Sequence, residues 1–463
     1  MLFCSKEFIF IFLLVFLIVY YLVPNRFKNL TLLLGSLIFY AVGDFRYLPL
    51  LVLSVCVNFI LGIFIEGSRI QSIEENLDKN VKKTVFLIIA LIYDFGLLFV
   101  FKYFTFFTGI KTNLALPLGI SFYTFQIASY IIDVYKGTIK VEKNIINLGT
   151  YLCMFPKLIQ GPIATYSDMG RQMSKRKYSF DKFQDGIRLF VVGLGFKMII
   201  ANILGMCWNS IKMYGIESIS TPMAWIAMFA YTFQIYFDFC GYSVMAMGIG
   251  KMLGFEIPRN FDCPYESRSV TEFWRRWHIT LGMWFRNYIY IPLGGNRKGI
   301  LRTIFNMFLV WALTGLWHGA SWNFVLWGIL FFVLLTIEKL GFKKVLDKHK
   351  IFSHIYMILI IPMSWVIFAL DKMEDIKIFF IKLFPFISGE YSQFINKTDY
   401  LPAISRYWIF FVLAVIFSLS TPRKLFYKYK TSIIVTKLLI VVFVLSVYRI
   451  MTSASNPFLY FRF

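Results

Sequence analysis

Charge, histidine and cysteine are all scarce in this 463-residue chain: charged residues make up 16%, with 4 His and 6 Cys. An average soluble domain is about a quarter charged and about half apolar, whereas here 58% of residues are hydrophobic and 20% aromatic. Intrinsic disorder and collagen-like classes are thereby excluded. The cysteines (Cys4, Cys56, Cys153, Cys207, Cys240, Cys263) show no CxxC spacing and most sit in apolar runs. They read as buried thiols, not as a disulfide scaffold or a zinc ribbon. No period of about 20–50 residues recurs, which excludes solenoids and propellers. The nearest phosphate-loop look-alike, Gly248-Ile-Gly250-Lys251-Met252, lacks its first glycine and has Met where Ser or Thr must reach magnesium. No third or fourth ligand stands at metal spacing beside the histidines, so no metal site is expected.

What is abundant is apolar length. Hydrophobic runs occupy 8–23, 30–43, 48–65, 85–101, 118–135, 148–163, 189–206, 223–252, 304–337, 351–370, 407–419 and 433–448. A perpendicular membrane helix needs about 20 apolar residues. The pattern therefore predicts an all-α polytopic membrane protein with roughly eleven crossings, some tilted, broken or re-entrant. The first run lacks a basic leader and a small-residue cleavage site, so it reads as a retained span.

The 48 Lys and Arg outnumber the 25 Asp and Glu, leaving a net charge of +23. They cluster between runs, at Arg26 and Lys28, Arg69 to Lys83, Lys339 to Lys350, and Arg423 to Lys437, whereas 371–399 carries five acidic residues against four lysines. The positive-inside rule makes the clusters cytoplasmic, puts 371–399 outside, and places the C-terminal tail outside as well. The excess thus fixes orientation and attracts anionic membrane lipid. No zinc finger, aromatic RNA-binding signature or basic helix free of the membrane is present, so nucleic acid is not an expected partner.

One polar stretch, 256–302, breaks the apolar pattern: eight positive and four negative charges alternate with Phe273, Trp274, Trp277, Trp284, Phe285, Tyr288 and Tyr290. The spacing predicts one helix over 269–290, with Arg275 and Arg286 on a shared face and His278 about one turn from Arg275. Basic residues among Trp and Tyr suit an interfacial helix lying in the membrane plane. Just downstream, the run 304–337 is too long for one straight span and holds Gly315, His318, Gly319 and Asn323 at its middle. An ionisable residue at membrane depth marks a functional site by default. Two of the chain's four histidines fall in these two segments, and no nucleophile elbow accompanies them. General-base chemistry on a hydroxyl fits, and so does a proton-coupled transporter with His318 in its relay.

The segment NFDCPYESRSVTEFWRRWHITLGMWFRNYIYIPLGGNR (260–297), followed by TGLWHGASWNFVLWG (314–328), resembles the membrane-bound O-acyltransferase (MBOAT) family. Within it, the likeness is to the bacterial alginate and peptidoglycan O-acetyltransferase membrane subunits. PLGISFYTFQ (117–126), FPKLIQGP (155–162) and DFCGYS (238–243) agree. The resemblance implies a single membrane domain over 1–463: N-terminal helices (1–110), a catalytic core (111–340) and C-terminal helices with an outer tail (341–463). Re-entrant and interfacial helices would surround a central tunnel.

The resemblance further implies that an acyl group passes from cytoplasmic acetyl-CoA to an extracytoplasmic polysaccharide, in a bacterial plasma membrane and together with an external esterase-like acetyltransferase. It carries the essential histidine onto His318 and a second one onto His278. Arg275, Arg276, Arg297 and Lys298 would line the cytoplasmic mouth and hold the phosphates of the donor. The tail NPFLYFRF (456–463) places Phe458, Tyr460 and Phe463 in an F-x-Y-x-x-F pattern. A small partner in teichoic-acid D-alanylation systems bears the same pattern, so Tyr460 is a candidate acyl carrier. Against this, the bland reading is an aromatic interfacial anchor. D-alanyl transfer and proton-coupled transport stand as the rival functions.

Overall fold

Lipid offers no hydrogen bonds, so a chain crossing it must satisfy its backbone within helices or a closed barrel. A computed structural model of the protein describes residues 2–75, 81–388, 398–453 and 458–459, and every regular element among them is helical. Eight helical stretches among the described residues are long and apolar enough to cross a membrane. They are joined by a shorter apolar helix, α1 (Phe8–Leu22), and by helices buried inside the protein.

The described residues form two compact units. The first comprises Met1–Phe190, Ser243–Pro258 and Arg286–Tyr288. In it α2 (Lys28–Asp44), α3 (Leu48–Glu74), α4 (Val81–Leu98), α5 (Ile120–Lys136) and α6 (Ile145–Cys153) pack against one another. An aromatic cluster ties α1 and α2 to the segment after α6: Phe155 meets Phe12, Phe16 and Phe39 with ring centroids 5.3–5.4 Å apart.

The second unit comprises Val191–Tyr242, Arg259–Phe285 and Ile289–Phe463, and holds both candidate histidines. It contains the second half of α7 (Phe180–Tyr214) and most of α8 (Thr221–Met252). Two short helices follow, α9 (Val270–Arg276) and α10 (Ile279–Phe285). Then come α11 (Gly299–His318), α12 (Trp322–Ile337), α13 (Lys350–Ala369), α14 (Tyr400–Ser418) and α15 (Ile433–Thr452).

The run 304–337, too long for one straight span, resolves into the helical hairpin α11–α12. A β-carbon on Gly315 would stand 2.5 Å from the Phe324 carbonyl oxygen, and one on Gly328 would stand 2.6 Å from that of Trp311. Only glycine lets the two backbones approach this closely, as small residues commonly do between membrane helices.

The helix expected over 269–290 is interrupted. α9 ends at Arg276, Trp277 turns extended, and His278 adopts φ 44°, a left-handed conformation that a residue with a β-carbon rarely takes. The cause lies outside the segment: the Asn260 carbonyl accepts from Ile279 N–H at 3.0 Å, and its carboxamide oxygen accepts from Thr280 Oγ1 at 2.6 Å. Of the segment's seven aromatic residues, Trp274, Tyr288 and Tyr290 keep partial exposure. Phe273, Trp277, Trp284 and Phe285 are all buried.

Candidate active site

α9 is built to insert into the second unit. Ser269 caps it, its hydroxyl accepting from Glu272 N–H at 3.1 Å. The buried Glu338 carboxylate accepts from the N–H groups of Val270 (2.7 Å) and Thr271 (2.9 Å), an anion at the positive end of a helix. Glu338 stands just past α12, on the side of the basic cluster that begins at Lys339. At the other end of α9, Trp277 packs on Trp365 near the far end of α13, with centroids 4.8 Å apart. The short helix therefore runs inward from the basic side and delivers His278 at its tip.

There the two histidines come together through one indole. The Trp317 ring lies 5.9 Å from His278 and 5.0 Å from His318. Phe239 of α8 closes on His278 at 4.7 Å, while Trp327 and Phe368 flank His318 at 5.0 and 5.1 Å. Both imidazoles are buried, at 2% and 3% exposure. Neither ring nitrogen of His278 has a hydrogen-bond partner among the described residues. A buried polar ring without partners, held in a rare backbone conformation, is characteristic of functional sites. Burial drives the conjugate acid of His278 far below the usual imidazole range, so its ring is neutral.

His318 is the last residue of α11. The negative end of a helix favours a cation there, which stabilises the imidazolium that forms when a general base takes up a proton. Asn323 fixes the backbone of Phe368, the ring that flanks His318: its side-chain nitrogen donates to the carbonyls of Ile367 and Phe368, both at 3.3 Å.

The four basic candidates are dispersed. Arg275 is exposed. Arg276 is engaged by Glu272 at 2.8 Å and Glu266 at 3.8 Å, so much of its charge is already answered. Arg297 and Lys298 are exposed where α11 begins, with Lys298 as its N-cap. The 20 residues of α11 span about 30 Å at 1.5 Å each, so these two lie a full helix length from His318. Tyr460 lies outside the described residues, as does Phe463.

Sequence reasoning passed over Lys197 and Asp238. They form a buried ion pair between α7 and α8, Nζ to Oδ1 2.5 Å. A charge in the middle of each apolar run was the available signal.

The profile of the membrane-bound O-acyltransferase family, MBOAT, matches residues 36–370. The chain is 33% identical to a protein of Pseudomonas putida named "Probable alginate O-acetylase AlgI", over the full length of both. It is 38% identical to the protein of that name from Pseudomonas fluorescens, over 85% of this chain and 77% of the other. It is 33% identical to a peptidoglycan O-acetyltransferase of Helicobacter pylori, over 81% and 78%. This multi-pass helical protein, with two histidines joined in one aromatic cage, belongs to the membrane-bound O-acyltransferase family and is an acyltransferase.

Proposed function

We propose that the protein moves an acetyl group from cytoplasmic acetyl-CoA to an extracytoplasmic polysaccharide, using His318 as general base and Tyr460 as acyl carrier. The observation that carries this reading is the position of His318: buried, at the negative end of α11, in the cage it shares with His278. The names of the alginate and peptidoglycan relatives supply the acceptor class and the acetyl group.

In the proposed step His318 takes the proton from the attacking hydroxyl. The oxygen adds to the thioester carbonyl carbon, the C–S bond breaks as the C–O bond forms, and the departing thiolate receives the proton back from the imidazolium. A phenol with pKa about 10 needs such a base to act at neutral pH. The neutral His278 then serves as a hydrogen-bond partner for the reacting groups. Arg275, Arg297 and Lys298 hold donor phosphates at the basic side, with Arg276 contributing what charge its carboxylate partners leave. The length of α11 then requires the acyl arm to run inward toward the cage. An external esterase-like acetyltransferase in a bacterial plasma membrane would collect the acetyl group from the tail. The whole chain, 1–463, acts as one functional domain in this reading.

Two measurements test it. Base-released acetate from wall and exopolysaccharide fractions, compared in cells with and without the protein, must fall when the protein is absent. Proteoliposomes showing proton-coupled flux without any acyl donor would instead support transport. With radiolabelled acetyl-CoA, an alkali-labile label should appear on the protein and vanish in Tyr460→Phe. Retention of label and full activity in that variant would remove the carrier role, and release of D-alanine in place of acetate would change the acyl group.

A further inference from the structure

The second unit contains a built slot, and the chain's own C-terminal segment occupies it. α7 carries a six-residue π-helical stretch, Phe196–Ala201, in which Lys197 sits. Such bulges often mark functional positions because they re-aim side chains out of the regular helical register. α8 crosses this stretch closely. A β-carbon on Gly241 would stand 2.7 Å from the Gly193 carbonyl oxygen and 3.2 Å from Lys197 N. That approach brings the Lys197 ammonium onto Asp238 Oδ1, with both side chains 2% exposed.

The second carboxylate oxygen of Asp238 faces the segment 458–459. Asp238 Oδ2 accepts from Leu459 N–H at 2.9 Å. Phe458 is fully buried, its ring 4.5 Å from the Lys197 ammonium and 5.1 Å, edge-on, from the Tyr242 ring. The ion pair thus reads the segment twice: Lys197 by cation–π attraction to the ring, and Asp238 by a charge-assisted bond to the backbone. A buried ion pair adds little to stability compared with apolar residues of like size, so stability alone does not account for its presence. Phe239, the next residue along α8, is the one that packs on His278. The slot and the histidine cage are therefore held by consecutive residues of a single helix.

We propose that Lys197, Asp238 and Tyr242 form a receptor slot for the chain's own C-terminal segment, seating Phe458 and Leu459 beside the histidine cage. The three are positioning residues and take no part in the acyl transfer itself. The functional consequence rests on the reading of Tyr460, the residue after Leu459, as acyl carrier. The seating itself does not.

The test is hydrogen exchange followed by mass spectrometry on the full-length protein in nanodiscs, with acetyl transfer measured alongside. Two variants are needed: Phe458→Ala, which alters only the segment, and Lys197→Met/Asp238→Leu, which replaces the buried pair by apolar residues and so preserves the fold. Seating predicts that the Leu459 amide exchanges slowly in the wild type and about tenfold or more faster in both variants. The double variant should melt with the wild type. Under the carrier reading, kcat falls about tenfold in both variants while KM for acetyl-CoA stays within about twofold. Exchange at Leu459 that is already fast in the wild type, or unchanged in the double variant, overturns the slot. If exchange depends on the pair but Tyr460→Phe transfers acetyl normally, the slot stands and the carrier reading fails. If Tyr460 is essential but exchange ignores the pair, the reverse holds.

Discussion

An apolar helix of the second unit and one of its charged segments meet their surroundings in opposite ways. In α15, only 11% of the most hydrophobic window is buried, and Ile433, Ile440, Val441 and Val444 are all more than half exposed. The segment 270–285, with its two arginines, its histidine and its acidic residue, buries Val270, Phe273, Trp277, His278, Trp284 and Phe285. Lipid solvates the first as well as a protein core would, so nothing is gained by covering it. The second encloses its histidine among aromatic rings, while Arg275 stays exposed and Arg276 finds its partner in Glu272. In such a protein chemistry is to be sought where polarity is hidden, and apolar exposure marks the solvent-facing side.

That contrast can be broken by substitution, beginning with the strongest effect. Trp277 is packed by Tyr236, Phe261, Phe273 and Trp365. Its replacement by Ala should cost about 3–5 kcal/mol, seen as early loss of monodisperse protein on heating in detergent. Val441→Arg, on the exposed face of α15, should raise the apparent insertion cost by about 2.5–3.5 kcal/mol in a membrane-insertion assay. Val441→Ala at the same site should change thermal stability by less than about 0.5 kcal/mol. If Ala there proved as harmful as at Trp277, the assignment of that face to lipid would be wrong.

Two smaller effects sharpen the polar side. His278 is held neutral by burial, its folded pKa lying below its unfolded value of about 6.5. The stability that His278 contributes is therefore complete above that pH and is lost as pH falls below it, because the unfolded chain then binds the proton. Melting measured from pH 7.5 to 5 should fall more steeply in the wild type than in His278→Asn. Removing both exposed charges at the start of α11, with Arg297→Gln and Lys298→Gln, should raise KM for acetyl-CoA by about three- to tenfold at low salt. The change in kcat should be small and the effect should shrink as salt increases.

Much of this was legible in the sequence. Apolar run lengths gave the helices, because helix length is a local property. The length of 304–337 showed that it could not be one straight span, though not that it folds back as the α11–α12 hairpin. The RRWH and WHGA blocks pointed to the two histidines that Trp317 joins. The break at His278 was not legible, since the helical spacing across 269–290 is sound and the interruption is imposed by Asn260 from outside the segment. Arg276 reads as a free phosphate ligand in a charge count, yet Glu272 lies one turn before it and forms the i,i+4 pair. The seating of Phe458 and Leu459 depends on a pairing across 41 residues, Lys197 with Asp238, and on a carboxylate bond across 221 more. No local pattern encodes such contacts.

The central claim is that His318 acts as the base of an acyl transfer. The direct measurement is the initial rate of transfer from radiolabelled acetyl-CoA in membrane vesicles, comparing wild type with His318→Ala at equal folded protein. Loss of a general base predicts a fall of about 10²–10⁴-fold in kcat with KM for the donor little changed. A rate within about twofold of wild type would contradict the account.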